Sequence, residues 1–201
     1  VTTDFKLSAK ALNSFLPGDI RILVVREVQE DFNPRYEVVE RIYKYFLFNS
    51  GYDIKKICSA AKLFEGEHSF HNFCILEDRN PVRRINKITV RKSGDFLVLM
   101  FYGKTFLWQM VRRIITALRM AGRSEISIEE LKKYFEPACK NKFKPSEPEP
   151  LILWNVRYNF DFEYEDYSLR KFQKEIFGRQ KELKTKAAIG EEVLRNLKFT
   201  K

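Results

Sequence analysis

The spacing of apolar positions changes several times along the chain, and each change predicts an element. Leu12, Phe15 and Leu16 lie at helical intervals behind Ser8. Ser8 can cap a short helix there, and Pro17-Gly18 can end it. The β-branched run from Ile20 to Val28 predicts a strand. A second strand is predicted from about Tyr36 to Phe48. Tyr43, Tyr45 and Leu47 would share one face and Ile42, Phe46 and Phe48 the other, because side chains alternate along a strand. Asp53 can cap a helix running through Leu63. A hairpin follows, with Ile85 to Arg91 as its first strand, a turn at Lys92-Ser93-Gly94-Asp95, and Phe96 to Tyr102 as its second. The returning strand is apolar on both faces, which predicts a covered, central position.

The widest apolar stripe begins after Thr105. Phe106, Leu107, Met110, Val111, Ile114, Ile115 and Leu118 follow the helical period, and Gly122 stands where the helix can end. Ser127 opens another helix, with Glu130 three residues on completing a capping-box pattern. Pro137, Pro145, Pro148 and Pro150 mark residues 136–150 as a loop. Leu151 to Phe160 reads as a return strand. From Tyr164 onward the chain is charged and helical, with Leu169, Phe172, Ile176 and Leu183 near heptad spacing. Strands and helices mix without strict βαβ alternation. The predicted class is therefore α+β, a mixed and mainly antiparallel sheet with helices packed on it. The natural divisions are 1–33, 34–160 and a charged helical extension, 161–201. The opening VTTDFKL reads as the end of a strand already in progress and has no initiator Met, so the sequence is expected to be a fragment.

Composition narrows the partners. Hydrophobic residues make up 44% and aromatic residues 14%, a globular balance. Lys and Arg number 37 against 27 Asp and Glu, a net charge of +10, which should attract a polyanion. Nucleic acid is the leading candidate and a membrane surface the rival. No apolar run approaches the ~20 residues that span a bilayer, and no signal-peptide pattern opens the chain. Cys58, Cys74 and Cys139 are scattered and form no CxxC, so neither a disulfide framework nor a zinc ribbon is indicated, and a reducing cytoplasm fits. His68, His71 and Cys74 recur at intervals of three in GEHSFHNFC. A metal site would need a fourth ligand; with Phe64, Phe70 and Phe73 alongside, ordinary packing is the better account.

An RNA partner calls for cations on phosphates and exposed aromatics under unstacked bases. Arg35, Tyr36, Arg41, Tyr43 and Lys44 interleave in that way on the second predicted strand. A solvated basic sheet face would have the same pattern. On the helix after Thr105, Arg112 lies opposite the apolar stripe, on the side of Trp108 and Arg119.

Longer motifs carry a resemblance. LPGDIRILVVREVQEDFNPRYEVVERIYKYFLFN is similar to a Leu-Pro-Gly-Asp-Ile segment, a strand, Asp-Phe-x-Ala-Arg and Arg-x-Tyr-x-Tyr. LFEGEHSFHNFC, NPVRRI, GKTFLWQMVRRIITALRMAGR and PLILWNVRY then follow in the order of one family. Across residues 12–158 the chain resembles the TruA-type tRNA pseudouridine synthases. That resemblance implies a pseudouridine synthase-like fold, with 1–33 as the end of an incomplete N-terminal subdomain and 34–160 as the C-terminal subdomain. It implies isomerisation of uridine to pseudouridine in the anticodon arm of tRNA, by a homodimer that needs no metal or cofactor. Tyr43 would stack on the target uracil, Arg112 would pair with the catalytic carboxylate, and Leu151 would line the pocket below the base. Arg35 would match the arginine of Asp-Phe-x-Ala-Arg, with Pro34 in place of the alanine; Arg41 and Trp108 would meet RNA. Trp108-Gln109 stands where two histidines are common, and Pro150 where glycine is usual. The family's nucleophilic aspartate lies in Gly-Arg-Thr-Asp-x-Gly-Val-His, and these residues contain no Arg-Thr-Asp. The expectation is a fragment inactive alone. A non-catalytic RNA-binding module on the same scaffold, or a related synthase with another RNA target, would fit the same residues.

Overall fold

Helix caps and one apolar strand organise the architecture. The computed structural model describes residues 7–76, 78–136 and 138–197. They form two units: one takes the chain up to Phe32 and from Asp161 onward, the other Asn33–Phe160. The VTTDF reading and Asp4 lie outside the described residues, as does Pro137.

The larger unit is built on β1 (Glu40–Phe48), β4 (Lys87–Ser93), β5 (Phe96–Gly103) and β6 (Leu151–Arg157), a sheet of order β4-β5-β1-β6 with every pair antiparallel. A shorter pair joins β2 (Gly66–Ser69) to β3 (Val82–Ile85). The strand apolar on both faces, β5, is internal as its pattern requires, with Leu97, Leu99 and Phe101 fully buried on one face and Val98 buried on the other. Ser93 faces Phe96 across a two-residue turn, Gly94-Asp95, in which Gly94 adopts φ 57°. On β1, Tyr45 and Leu47 are buried on the face where β5 presents Leu99 and Leu97.

Among its described residues this unit has three α-helices, α2 (Ile54–Lys62), α3 (Met110–Gly122) and α4 (Ile128–Lys133), and a short 3₁₀ turn at His71–Phe73. Asp53 caps α2 by accepting from the backbone of Lys55 and Lys56, and Ser127 and Glu130 form the reciprocal capping box of α4. Met110, Ile114, Ile115 and Leu118 of α3 join Ile57, Ala60 and Ala61 of α2 in the core. Gly122 is the last residue of α3 and is needed for approach rather than for a turn. A Cβ there would lie 2.7 Å from Ile57 Cγ1 and 3.2 Å from Tyr52 Cδ1. An aromatic cluster packs beside them, with Phe73 stacked on Phe143 at 5.4 Å and edge-on to Phe64 at 5.0 Å. His68 belongs to that cluster, 5.0 Å from the Phe135 ring and bonded to the Glu65 carbonyl. His71 bonds Ser69 and Asn72. Among the described residues, no group of three metal-ligating side chains gathers.

The smaller unit holds α1 (Ala9–Asn13) and α5 (Asp166–Asn196). Ser8 caps α1, and the Glu165 carboxylate takes further N–H groups there from Ala9 and Lys10. Arg21 grips Glu175 with two bonds, at 2.9 and 3.0 Å. Along α5, Leu169 and Phe172 are half-buried whereas Ile176 and Leu183 are exposed. No helix among the described residues is long and apolar enough to cross a membrane.

Several boundaries differ from the pattern-based expectation. Ile20–Val28 is not a strand, because its backbone meets no partner ladder among the described residues. Ile22 instead bonds the Asn13 side chain through both N–H and C=O. The strand expected from Tyr36 starts at Glu40; the Asn33 carbonyl accepts from Tyr36 and Glu37, turning the chain first. Arg35 and Tyr36 therefore do not share a strand with Tyr43. Helix α1 stops before Phe15, which is exposed. Helix α3 starts at Met110, so Phe106, Leu107 and Trp108 precede it.

Candidate active site

Residues distant in the sequence meet at a cleft of about 650 Å³ in the larger unit. Tyr43 of β1, Phe106, Trp108 and Gln109 ahead of α3, Arg112 in its first turn and Leu151 at the start of β6 line it, with Arg79 and Pro148.

The β1–β6 register shifts beside Tyr43: the extra residue is Trp154 on β6, a bulge, while Tyr43 itself keeps unbroken pairing with β5. Its ring meets Phe106 near-perpendicularly, centroids 5.1 Å apart. Phe106 can come this close because Gly103 has no side chain; a Cβ there would lie 3.1 Å from Phe106 Cζ and 3.0 Å from the Arg84 carbonyl. Burial raises the Tyr43 phenol above its usual range, with Arg41 pulling weakly the other way. The ring thus stays neutral at ordinary pH and offers an aromatic surface.

The entry to α3 is held by a backbone device. Gln109 sits in the left-handed region at φ 60°, a conformation that costs a non-glycine residue of order 1 kcal/mol. Its side-chain oxygen accepts from Arg113 Nη2 at 3.0 Å and Nε at 3.3 Å, and Arg113 also donates to the Phe143 carbonyl. Ahead of it, the Trp108 carbonyl accepts from Ile75 N–H at 3.1 Å. The chain enters α3 from this turn, and its first helical turn carries Arg112.

The Nε of Arg112 donates to the Ser146 carbonyl, and the Ser146 N–H returns a bond to the Arg112 carbonyl at 3.1 Å. Ser146 Oγ meets Thr116 Oγ1 at 2.8 Å. Leu151 follows a turn closed by its N–H on the Pro148 carbonyl, while Phe46 donates to Pro150. The proline at 150 is therefore absorbed by an ordinary carbonyl bond to β1.

Tyr43, Arg112, Leu151 and Trp108 thus share one cleft. Arg35 and Arg41 do not line it. Arg41 donates to the carbonyls of Lys104 and Arg35, gathering those basic residues on the surface, and the Arg35 guanidinium lies 6.0 Å from the Tyr36 ring centre. Sequence pattern does not single out Phe106, Gln109 or Arg79. Phe106 is counted there as helix core, and neither a left-handed φ nor a loop arginine's place at a cleft leaves a periodic signal. Among the described residues, no carboxylate lines the cleft. The arrangement can hold a flat ring and a negative group, and its described lining offers a phenol and guanidinium groups but no carboxylate.

A family model described as tRNA pseudouridine synthase matches residues 60–159, the segment that supplies Phe106, Arg112 and Leu151. The chain is similar to the tRNA pseudouridine synthase A of Thermococcus sibiricus, with 42% identity over 191 residues, 94% of this chain and 71% of that protein. It is also similar to that of Thermococcus gammatolerans, at 39% identity over 85% of this chain and 65% of that protein. With Pyrococcus furiosus the identity is 36% over 92% and 70%. The chain belongs to the tRNA pseudouridine synthase A family, whose members are isomerases. It spans between 65% and 71% of the length of these relatives.

Proposed function

We propose that these residues form the base-holding part of an enzyme that isomerises uridine to pseudouridine in the anticodon stem-loop of tRNA. The observation that carries this reading is the convergence of Tyr43, Arg112 and Leu151, from β1, α3 and β6, on one cleft. A uridine must leave its stack before its glycosidic bond can be worked on, and the Tyr43 face replaces the lost stacking. Leu151 closes the apolar side below the base. Arg112 offers a guanidinium to the nucleophilic carboxylate and keeps it ionised. The glycosidic C1′–N1 bond is cleaved, the base rotates, a C1′–C5 bond forms, and the proton lost from C5 is balanced by one taken up at N1. Arg35 and Arg41 hold backbone phosphates. The working form is a cytoplasmic homodimer with tRNA across its basic cleft.

The carboxylate comes from an Arg-Thr-Asp segment that these 201 residues do not contain. The chain alone therefore binds tRNA without turnover. The test uses tRNA tritiated at uridine C5, because carbon–carbon bond formation releases that label. Expected are binding without tritium release by the 201-residue chain, and release once the Arg-Thr-Asp segment is joined to it. Tyr43→Ala in the joined protein should abolish release while circular dichroism stays unchanged. Turnover by the 201 residues alone would overturn this source of the nucleophile. The cleft's lack of a lining carboxylate also favours a second reading, a non-catalytic RNA-binding module; binding by the joined protein without release would select it.

A further inference from the structure

The two tryptophans of the chain have equal exposure, 55% each, but different surroundings. The Trp154 ring is covered by the Lys44 ammonium, 3.2 Å from its centroid. On Trp108 no ring or cation is stacked among the described residues, and it stands at the cleft that Tyr43 lines. Exposed indoles are common enough to need no explanation singly. What sets this one apart is how firmly its backbone is held. Ile75 bonds its carbonyl, Leu107 before it accepts from Met110 N–H at 3.0 Å, and Gln109 after it is fixed left-handed by Arg113. A strained residue clamped by a guanidinium is a device for holding a conformation. It removes Trp108 from the helix and leaves a large, pre-positioned aromatic face at the cleft.

An aromatic face on a held backbone, beside a cleft for a flat ring, matches single-stranded nucleic acid, where successive bases stack on successive aromatics. We propose that Trp108 is the stacking platform for a second unpaired nucleobase, a neighbour of the uridine held on Tyr43. This rests on the reading of the cleft as a uridine site. Extruding one base removes a stacking partner from the next, and Trp108 stands where a partner can be supplied. Because every base has a π face, the platform favours unpaired over paired RNA more than one base over another.

The experiment needs no turnover. Trp154→Phe leaves Trp108 as the sole tryptophan, and its fluorescence is followed as the 201-residue chain is titrated with an RNA stem-loop or with a blunt duplex of equal length. Quenching by the stem-loop and not by the duplex is expected. Trp108→Ala should weaken stem-loop binding by about 10- to 100-fold, Trp108→Phe should restore most of it, and Trp154→Phe should leave it unchanged. Stem-loop binding with Trp108 unquenched and with Trp108→Ala at full affinity would overturn the platform and leave the uridine cleft standing. Absence of any RNA binding by the unaltered chain would overturn the cleft reading and the platform together.

Discussion

The two ends of α3 carry arginines on the same side of the helix, two turns apart, and their surroundings are unlike. Arg119 is closed off: its Nε donates to Tyr52 Oη at 3.1 Å and its Nη1 to Glu147 at 3.2 Å. Arg112 makes a bond to the Ser146 carbonyl and otherwise faces the cleft. The carboxylate nearest in sequence to that carbonyl is Glu147, and it is engaged by Arg119 and Tyr45. At one end of α3 the guanidinium is matched by a carboxylate within the unit; at the other it meets a carbonyl and borders the cleft.

Exchanging the two arginines for alanine should separate them by activity more than by stability. In the protein carrying the Arg-Thr-Asp segment, Arg112→Ala should lower kcat/KM about 1000-fold, since a positioned charge at a reacting centre typically contributes that much. Its stability should fall by about 1 kcal/mol, the worth of the carbonyl bond lost. Arg119→Ala should leave kcat/KM within about 10-fold and cost about 1 kcal/mol of stability, discounted because its Glu147 partner is largely exposed. Tritium release and thermal melting on both variants check this. Equal losses of activity would erase the contrast.

A smaller effect, confined to stability, belongs to Gly122. Gly122→Ala improves helix propensity by about 1 kcal/mol, but the new methyl lies 2.7 Å from Ile57 Cγ1. Overpacking of that order costs about 1–3 kcal/mol, so the variant should be destabilised by about 1 kcal/mol in urea unfolding. Adding Ile57→Ala removes the clashing atoms, and the double variant should lose less than the two single costs summed. Additive losses would mean that the close approach of α2 and α3 is not what the glycine serves. Stem-loop affinity should be unchanged, because the cleft lies at the other end of α3.

What was legible in the sequence follows the same division. Caps are local chemistry, so Ser8, Asp53 and the Ser127–Glu130 box mark helix starts correctly. A strand apolar on both faces has few places to go, and β5 is internal. The start of α3 was not legible, because Phe106 and Leu107 continue the helical spacing of apolar residues while the backbone does not. The break depends on a left-handed Gln109 that a distant Phe143 carbonyl helps to hold through Arg113. Ile20–Val28 fails for the complementary reason: β-branched residues give a segment the propensity for a strand, but a ladder needs a partner. The roles given to Tyr43, Arg112 and Leu151 came from the family resemblance and not from periodicity, and only the structure brings Trp108 to the same cleft. Pattern alone would have left Arg112 on a solvated face and Trp108 on a helix.

The smallest expected effect is a pH dependence that separates the two arginines once more. Glu147 is held below the usual carboxylate range, first by its own backbone N–H, against the opposing effect of burial, then by Arg119, the Tyr45 hydroxyl and, last, Arg112. A lowered folded-state pKa stabilises the fold above the unfolded glutamate value, about 4.3. That stability is lost as pH falls through the lower folded value. Glu147→Gln should therefore flatten the acid limb of a plot of urea midpoint against pH below about pH 4.3, by a small amount because the side chain is 64% exposed. Arg119→Ala should flatten the same limb in part, and Arg112→Ala should hardly touch it. A larger response to Arg112→Ala than to Arg119→Ala would mean that Glu147 answers to the cleft, and that the cleft arginine already has its carboxylate within this chain.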